Sequence, residues 1–313
     1  MYLLLQKIIV LFFKKHSNIT SLKNIRCIDV MTTNILKAID RLANSLNTSI
    51  ILAAPKSSNR ANNMGEGLER YIQDLFADTL YQSNEIERNQ SINNTFSYLG
   101  NQNNPPDLII KSGDALEIKK IESAKSSIPL NSSYPKNKLY ANDTRITKEC
   151  RECENWYEKD ILYCIGHVKG KDIQHLWFIY GDCYAAAKNI YERVSNAISS
   201  GITSIPDIEF SKTNELGKVN KVDPLGITDL RIRGMWHIAN PANVFKYIYT
   251  PPKSKFGMAC LMRKSKYESG DFSNLDRSNI ENHKNLKLDQ VQIRDPNNPA
   301  KLIDAILIRY SET

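Results

Sequence analysis

Pro105-Pro106-Asp107-Leu108-Ile109-Ile110-Lys111-Ser112-Gly113-Asp114-Ala115-Leu116-Glu117-Ile118-Lys119-Lys120 reads as two strands joined by a turn. Apolar runs at 108–110 and 115–121 flank the turn-forming Lys111-Ser112-Gly113-Asp114, which predicts a β-hairpin. Side chains alternate faces along a strand, so Glu117 and Lys119 project together while Leu116 and Ile118 face the other way. Asp107 opens the first strand, and the hairpin returns it beside Glu117. Two carboxylates and an ammonium gathered in this way can hold a hard divalent cation and a water against a phosphodiester. The same residues also fit a plainer reading, in which Asp107 is a turn residue after two prolines and Glu117 and Lys119 form the wet face of an edge hairpin.

Outward from the hairpin, the pattern alternates helical and extended stretches. Ile35, Leu36, Ile39, Leu42 and Leu46 make one stripe of a helix beginning at Asn34. A polar, turn-rich segment at 55–63 is a linker or binding loop and contains Asn59 and Arg60. A second helix is expected over about 64–77, with Glu66 and Glu69 to one side of its apolar face. The stretch 89–104 is polar and Asn-rich, and 122–145 is a long loop rich in Ser, Lys and Asn. A helix over about 145–158, strands over 160–168 and 174–180, and a helix over about 182–200 capped by Gly201 follow. This order favours an α/β protein, a mixed central β-sheet flanked by helices, over a regular βαβ repeat.

The final expected strand, 229–238, carries Arg231 and Arg233 on one face and Leu230 and Ile232 on the other. Lys218 and Lys221 lie just upstream. Arginine can pair bidentately with guanine in the major groove and lysine can neutralise phosphates, so this region is a candidate nucleic-acid surface. A strand with one solvated face is the competing reading, and His237 fits either a base contact or a satisfied core position.

Composition sets wider bounds. With 313 residues, 41% hydrophobic and 24% charged, the chain can build a substantial core and has ordinary globular character. The net charge is +8, but residues 1–30 carry five basic residues against Asp29 and so hold +4 of it, leaving +4 for the rest. A polyanionic partner is therefore favoured only mildly by charge. The six cysteines show no disulfide-framework spacing, which suits a reducing cytoplasm. Cys150 and Cys153 form a lone Cys-x-x-Cys without the second pair that a structural zinc site needs, and with Ile146 and Tyr157 they fall at helical spacing, so they are expected on a buried helix face. The apolar segment 1–13 is broken by Gln6 and Lys7 and is too short to span a bilayer. Met31 opens a more ordinary protein start, so 1–30 is expected to be an extension, upstream of the true start or an appended arm.

The runs Ser58-Asn-Arg-Ala-Asn62, Phe96-Ser-Tyr-Leu-Gly100, Asn104-Pro-Pro-Asp107, Glu117-Ile-Lys-Lys-Ile-Glu-Ser123, Leu130-Asn-Ser-Ser133 and Leu230-Arg-Ile-Arg-Gly-Met-Trp-His237 resemble the NgoPII-type restriction endonucleases, type II enzymes of the PD-(D/E)xK nuclease superfamily. The similarity runs from about Met31 and is strongest over 58–240. The resemblance implies a cytoplasmic, Mg²⁺-dependent enzyme that cuts double-stranded DNA at a short palindrome, GGCC, leaving 5′-phosphate ends. It implies a restriction-endonuclease domain over 31–313, with a catalytic core at about 64–200 and a DNA-recognition region at about 201–250. Carried over by position, Asp107, Glu117 and Lys119 are the catalytic residues, with Glu69 as the helix glutamate that many members add. Asp107, Glu117 and the Ile118 carbonyl are the implied metal ligands. Arg231, Arg233, His237, Lys218, Lys221, Asn59 and Arg60 are the candidate DNA contacts. A palindromic site implies a homodimer, and a restriction enzyme implies a partner DNA methyltransferase that protects the host. Two alternatives keep the DNA partner but change the activity: a sequence-specific binding protein on a decayed nuclease scaffold, and a structure-selective repair nuclease.

Overall fold

The structure, a computed structural model, describes residues 33–45, 60–101, 104–170, 172–206, 209–213 and 215–311. All belong to the larger of two compact units, Met31–Thr313. The expected extension at 1–30, Leu46 and Asn59 lie outside the described residues.

The expected hairpin forms part of one side of a large mixed sheet. Strands β1 (Phe96–Asn101), β2 (Asn104–Ile110) and β3 (Ala115–Ile121) run antiparallel. The β2–β3 turn closes with the Gly113 amide donating to the Ile110 carbonyl at 2.9 Å, and Ser112 takes a left-handed conformation (φ 55°). Asp114 ends this turn and is buried, accepting hydrogen bonds from the Tyr180 hydroxyl (2.6 Å) and the Lys266 ammonium (3.0 Å). A buried carboxylate needs such partners, and these tie the turn to the middle of the molecule.

Residues 122–145 hold two short strands, β4 (Ile128–Pro129) and β5 (Lys138–Tyr140). Strands β6 (Glu158–Lys169) and β7 (Asp172–Tyr180) form the second expected hairpin, with β6 parallel to β3. The smaller strands β8 (Glu209–Phe210), β9 (Gly217–Asn220) and β10 (Leu230–Ile232) make a separate three-stranded sheet, and β11 (His237–Ile238) pairs with β4. Beyond 250, β12 (Gly257–Arg263), β13 (Leu286–Asp295) and β14 (Asn298–Ser311) complete the large sheet in the order β1-β2-β3-β6-β7-β12-β14-β13, with β5 paired to the start of β6. The β3–β6 and β7–β12 pairs are parallel and the rest antiparallel. The central strands are covered on both faces: 161–165, 176–180 and 257–262 are buried without interruption. Such runs show no alternation because no face meets water. β13 is the far edge, and its exposed positions are Lys287, Gln290, Gln292 and Arg294.

Helix Ile35–Asn44 packs against helix Arg60–Ala77, which in turn packs against β3. Asn34 caps the first, accepting from the Lys37 amide at 3.0 Å. The second begins four residues before the expected 64, and Gly166 on β6 makes room for it: a Cβ there would lie 2.8 Å from both methyls of Leu68.

Several expectations are corrected. The polar stretch 89–104 contains most of a helix, Glu85–Thr95, and strand β1. That helix buries only Arg88, Ile92 and Thr95, so no apolar stripe announced it. The helix expected over 145–158 is only Lys148–Glu152. Cys150 is buried there, but Cys153 is its C-cap and Tyr157 is 71% exposed. In place of one helix over 182–200 there are two, Gly181–Tyr184 and Lys188–Thr203, and Gly201 lies inside the second while Ser204 caps it. The strand expected over 229–238 divides, because its first part pairs with β9 while the Trp236 amide donates to the Asn131 carbonyl at 2.8 Å and β11 pairs with β4. Leu230, on the face opposite the arginines, is exposed. Among the described residues, no helix is long and apolar enough to cross a membrane.

Candidate active site

The β2–β3 register sets Leu108 opposite Leu116 and Ile109 opposite Ala115, and its next step places Asp107 across from Glu117. Leu116 and Ile118 point into the core, 0% and 8% exposed, which leaves Glu117 and Lys119 on the opposite, half-buried face. The Ile118 amide donates to Asp107 Oδ2 at 2.5 Å, so the backbone of one strand locks the carboxylate of the other. Close approach of β1 helps hold Asp107 in place. At Gly100 a Cβ would lie 2.8 Å from the Asp107 carbonyl oxygen and closer still to that of Pro106.

Lys119 Nζ lies 2.7 Å from Glu117 Oε1, 3.4 Å from Asp107 Oδ2 and 3.1 Å from the Ile118 carbonyl oxygen. These are oxygens of the three groups that the resemblance implies as metal ligands, so the ammonium occupies the oxygens that a divalent cation would need there. Glu117 Oε2 is buried without a hydrogen-bond partner. Burial lifts the Asp107 carboxyl well above the ordinary carboxylate range. Glu117, and more weakly Glu69, push the same way by charge repulsion, while the Lys119 ammonium and the Ile118 amide oppose them. Burial disfavours the charged Lys119, but Glu117 and Asp107 outweigh it and hold that ammonium above its usual pKa.

Glu69 stands near enough to repel the Asp107 charge, but it does not complete a metal cage. Among the described residues, no group of three or more His, Cys, Asp or Glu side chains is arranged to hold a metal. The described donors are thus two carboxylates and a carbonyl.

Asp107, Glu117 and Lys119 line a cleft of about 630 Å³, whose walls also include Ser132, Arg145, Glu215 and Arg233. Arg231 and Arg233 come together on one carboxylate. Arg231 donates to Glu215 through Nε (3.0 Å) and Nη2 (2.7 Å), and Arg233 Nε donates to the same group at 2.5 Å. Both arginines are still more than half exposed. Lys218 pairs with Asp229 at 3.1 Å and Lys221 with Glu209 at 3.0 Å. His237 is exposed rather than core and lies 3.5 Å from Ser127 Oγ. Arg60 begins its helix, but its side chain lies outside the described residues. The cleft therefore joins Arg233 to the hairpin carboxylates. Glu215 and Arg145 were not singled out from sequence, since each sits outside any motif and reaches the cleft only through tertiary folding.

A mixed sheet flanked by helices, with acids and an amine gathered on one hairpin, defines a restriction-endonuclease-like fold. Residues 33–294 match the NgoPII restriction endonuclease family. The type II restriction enzyme NgoPII of Neisseria gonorrhoeae is 44% identical over 279 residues, 88% of this chain and 99% of that protein. No solved structure matches. The chain belongs to the NgoPII restriction endonuclease family, and it is a type II site-specific deoxyribonuclease acting on double-stranded DNA.

Proposed function

We propose that this enzyme hydrolyses both strands of DNA at the palindrome GGCC, requires Mg²⁺, and leaves 5′-phosphate and 3′-hydroxyl ends. The observation that carries the hydrolytic site is the convergence of Asp107, Glu117 and Lys119 in one cleft. The sequence GGCC rests on the resemblance of the quoted runs to the family.

The donor set fits a hard cation, because Glu117 Oε2 is buried with no protein donor to satisfy it. Asp107, Glu117 and the Ile118 carbonyl would hold the ion. Bound there, Mg²⁺ would offset charge on the phosphate and acidify a water. For its part, Asp107 must be ionised to serve, and the Ile118 amide favours that state. Lys119 must leave the shared oxygens, which frees its ammonium to orient the attacking water and steady charge on a non-bridging phosphate oxygen. The water oxygen bonds to phosphorus as the P–O3′ bond breaks, the water giving up one proton to solvent and the leaving oxygen taking one up from solvent, so the proton count is unchanged. Glu69 tunes Asp107 by repulsion from the neighbouring helix.

Arg231 and Arg233 are proposed as base readers, with His237, Lys218, Lys221, Asn59 and Arg60 as further groove or backbone contacts. A two-fold site favours a homodimer with one active cleft per strand, and a restriction activity calls for a cognate methyltransferase in the same cell. The free thiols of Cys150, Cys153, Cys164, Cys183 and Cys260 suit a cytoplasmic location. Plasmid digestion with Mg²⁺ or EDTA, followed by run-off sequencing of the products, tests the reading. Discrete fragments ending within GGCC, lost in EDTA and lost with Asp107→Ala, are expected. Robust cutting by folded Asp107→Ala would refute the site.

A further inference from the structure

The cleft holds three cations, and they are not equivalent. Lys119 is paired with Glu117 and Asp107, and Arg233 shares Glu215 with Arg231. Arg145 has no carboxylate within ion-pairing distance of its guanidinium among the described residues. It is nevertheless held in place. Its Nη1 donates to the Ser132 carbonyl, its amide donates to Asp143 Oδ1 at 2.9 Å, and its carbonyl accepts from Asn104 Nδ2 at 3.0 Å. Asn104 opens β2, the strand that carries Asp107. Asp143 does not neutralise the arginine, because its Oδ2 is taken by the buried Lys136 ammonium.

A half-buried guanidinium fixed by a backbone carbonyl, with N–H donors left over and no counter-charge, is prepared for an external anion. Arg145 also lines a second hollow of about 360 Å³, beside Tyr140, Lys188 and Asn196. It therefore stands on the wall shared by two concavities, one holding the hydrolytic residues and the other lined by Lys136, Lys138 and Lys188 together with Asp143 and Glu192. Lys119 already serves the scissile position. We infer that Arg145 clamps the phosphate adjoining the scissile one on the cleaved strand and guides that strand from the active cleft into the second hollow. The planar fork suits two oxygens of one phosphate. This inference rests on the hydrolytic reading above, and it adds a substrate-binding residue to it.

The test separates a phosphate contact from a loop anchor. Binding of a duplex oligonucleotide carrying the mapped site is followed by anisotropy in EDTA between 50 and 200 mM salt (about the range over which phosphate contacts dominate). Arg145→Gln keeps an amide donor for the Ser132 carbonyl but removes the charge. It should weaken binding and shrink the slope of log affinity against log salt by about 0.9 for each Arg145 engaged. Arg145→Lys should restore the slope while single-turnover cleavage in Mg²⁺ stays below wild type, since a point charge cannot fork. A residue that merely anchors the loop would leave the slope unchanged in every variant. An unchanged slope in Arg145→Gln, with wild-type protein cutting discretely, overturns the inference and leaves the hydrolytic reading standing. Wild-type protein that cuts nothing with Mg²⁺ overturns both.

Discussion

Gly100 marks the point where β1 comes nearest to Asp107, and no larger residue fits there without moving backbone. Its neighbours are carbonyl oxygens of β2 rather than flexible side-chain ends, so Gly100→Ala must part the strands or displace Asp107. Overpacking of this kind costs about 1–3 kcal/mol, and a shift of about 1 Å at a reacting group can cost about a hundredfold in rate. A lower melting temperature and a single-turnover rate reduced by at least tenfold (about 1.4 kcal/mol) are expected. Wild-type values for both would show that β1 does not constrain the carboxylate. Lys119 offers a second check at this scale. Because its ammonium shares oxygens with the proposed ion, Lys119→Met should raise divalent-ion affinity in a titration calorimeter while abolishing cleavage. Unaltered affinity would mean that the ammonium and the ion do not compete.

At the scale of elements, Glu215 grips Arg231 from β10 and Arg233 just beyond it, on the surface proposed to read DNA. Without that carboxylate, two neighbouring guanidiniums repel and lose their common orientation. Glu215→Gln should therefore reduce discrimination between the correct site and single-base variants by roughly 1–3 kcal/mol, the worth of one bidentate base contact. Equal weakening on all sequences, measured in the same binding series, would assign the arginines to phosphates instead. The elements also show what could be read in advance. The β2–β3 and β6–β7 hairpins were legible because turn chemistry at Ser112-Gly113 and Gly170 separates apolar runs of strand length. Strand alternation puts Glu117 and Lys119 on one face and the hairpin returns Asp107 beside them, but that pattern fits a wet edge hairpin equally, and only the family resemblance favours a site there. The helix Glu85–Thr95 was not legible, since its buried face includes Arg88, satisfied by Asp74 at 2.7 Å. β12 was missed because a run such as Met258-Ala-Cys-Leu-Met262 fits a buried helix or a buried strand equally well. Arg145 and Glu215 needed the folded chain, as nothing local distinguishes them.

At the scale of the whole molecule, one buried histidine links folding to pH. His175 on β7 is buried against Tyr249, 3.1 Å from its hydroxyl, and burial pulls its pKa down to about 3, with His167 adding to the effect. The unfolded imidazole titrates near its ordinary 6.5. Between those values the unfolded chain binds more protons, so this group's contribution is intact above about pH 6.5 and is lost as pH falls toward 3, at no more than about 1.4 kcal/mol per pH unit. Urea unfolding at pH 7, 6, 5 and 4 should show that slope, and His175→Gln should flatten it. An identical pH dependence in the variant would place acid sensitivity elsewhere. The outer rim of the sheet has a different consequence. β13 is paired on one side only, apart from the Arg294 amide, which donates to the Tyr247 hydroxyl at 3.1 Å, and Lys287, Gln290, Gln292 and Arg294 are its exposed residues. Stacking another copy there would strand those side chains against each other in a dry seam. Concentrated preparations should therefore stay dispersed instead of growing fibrils from this border.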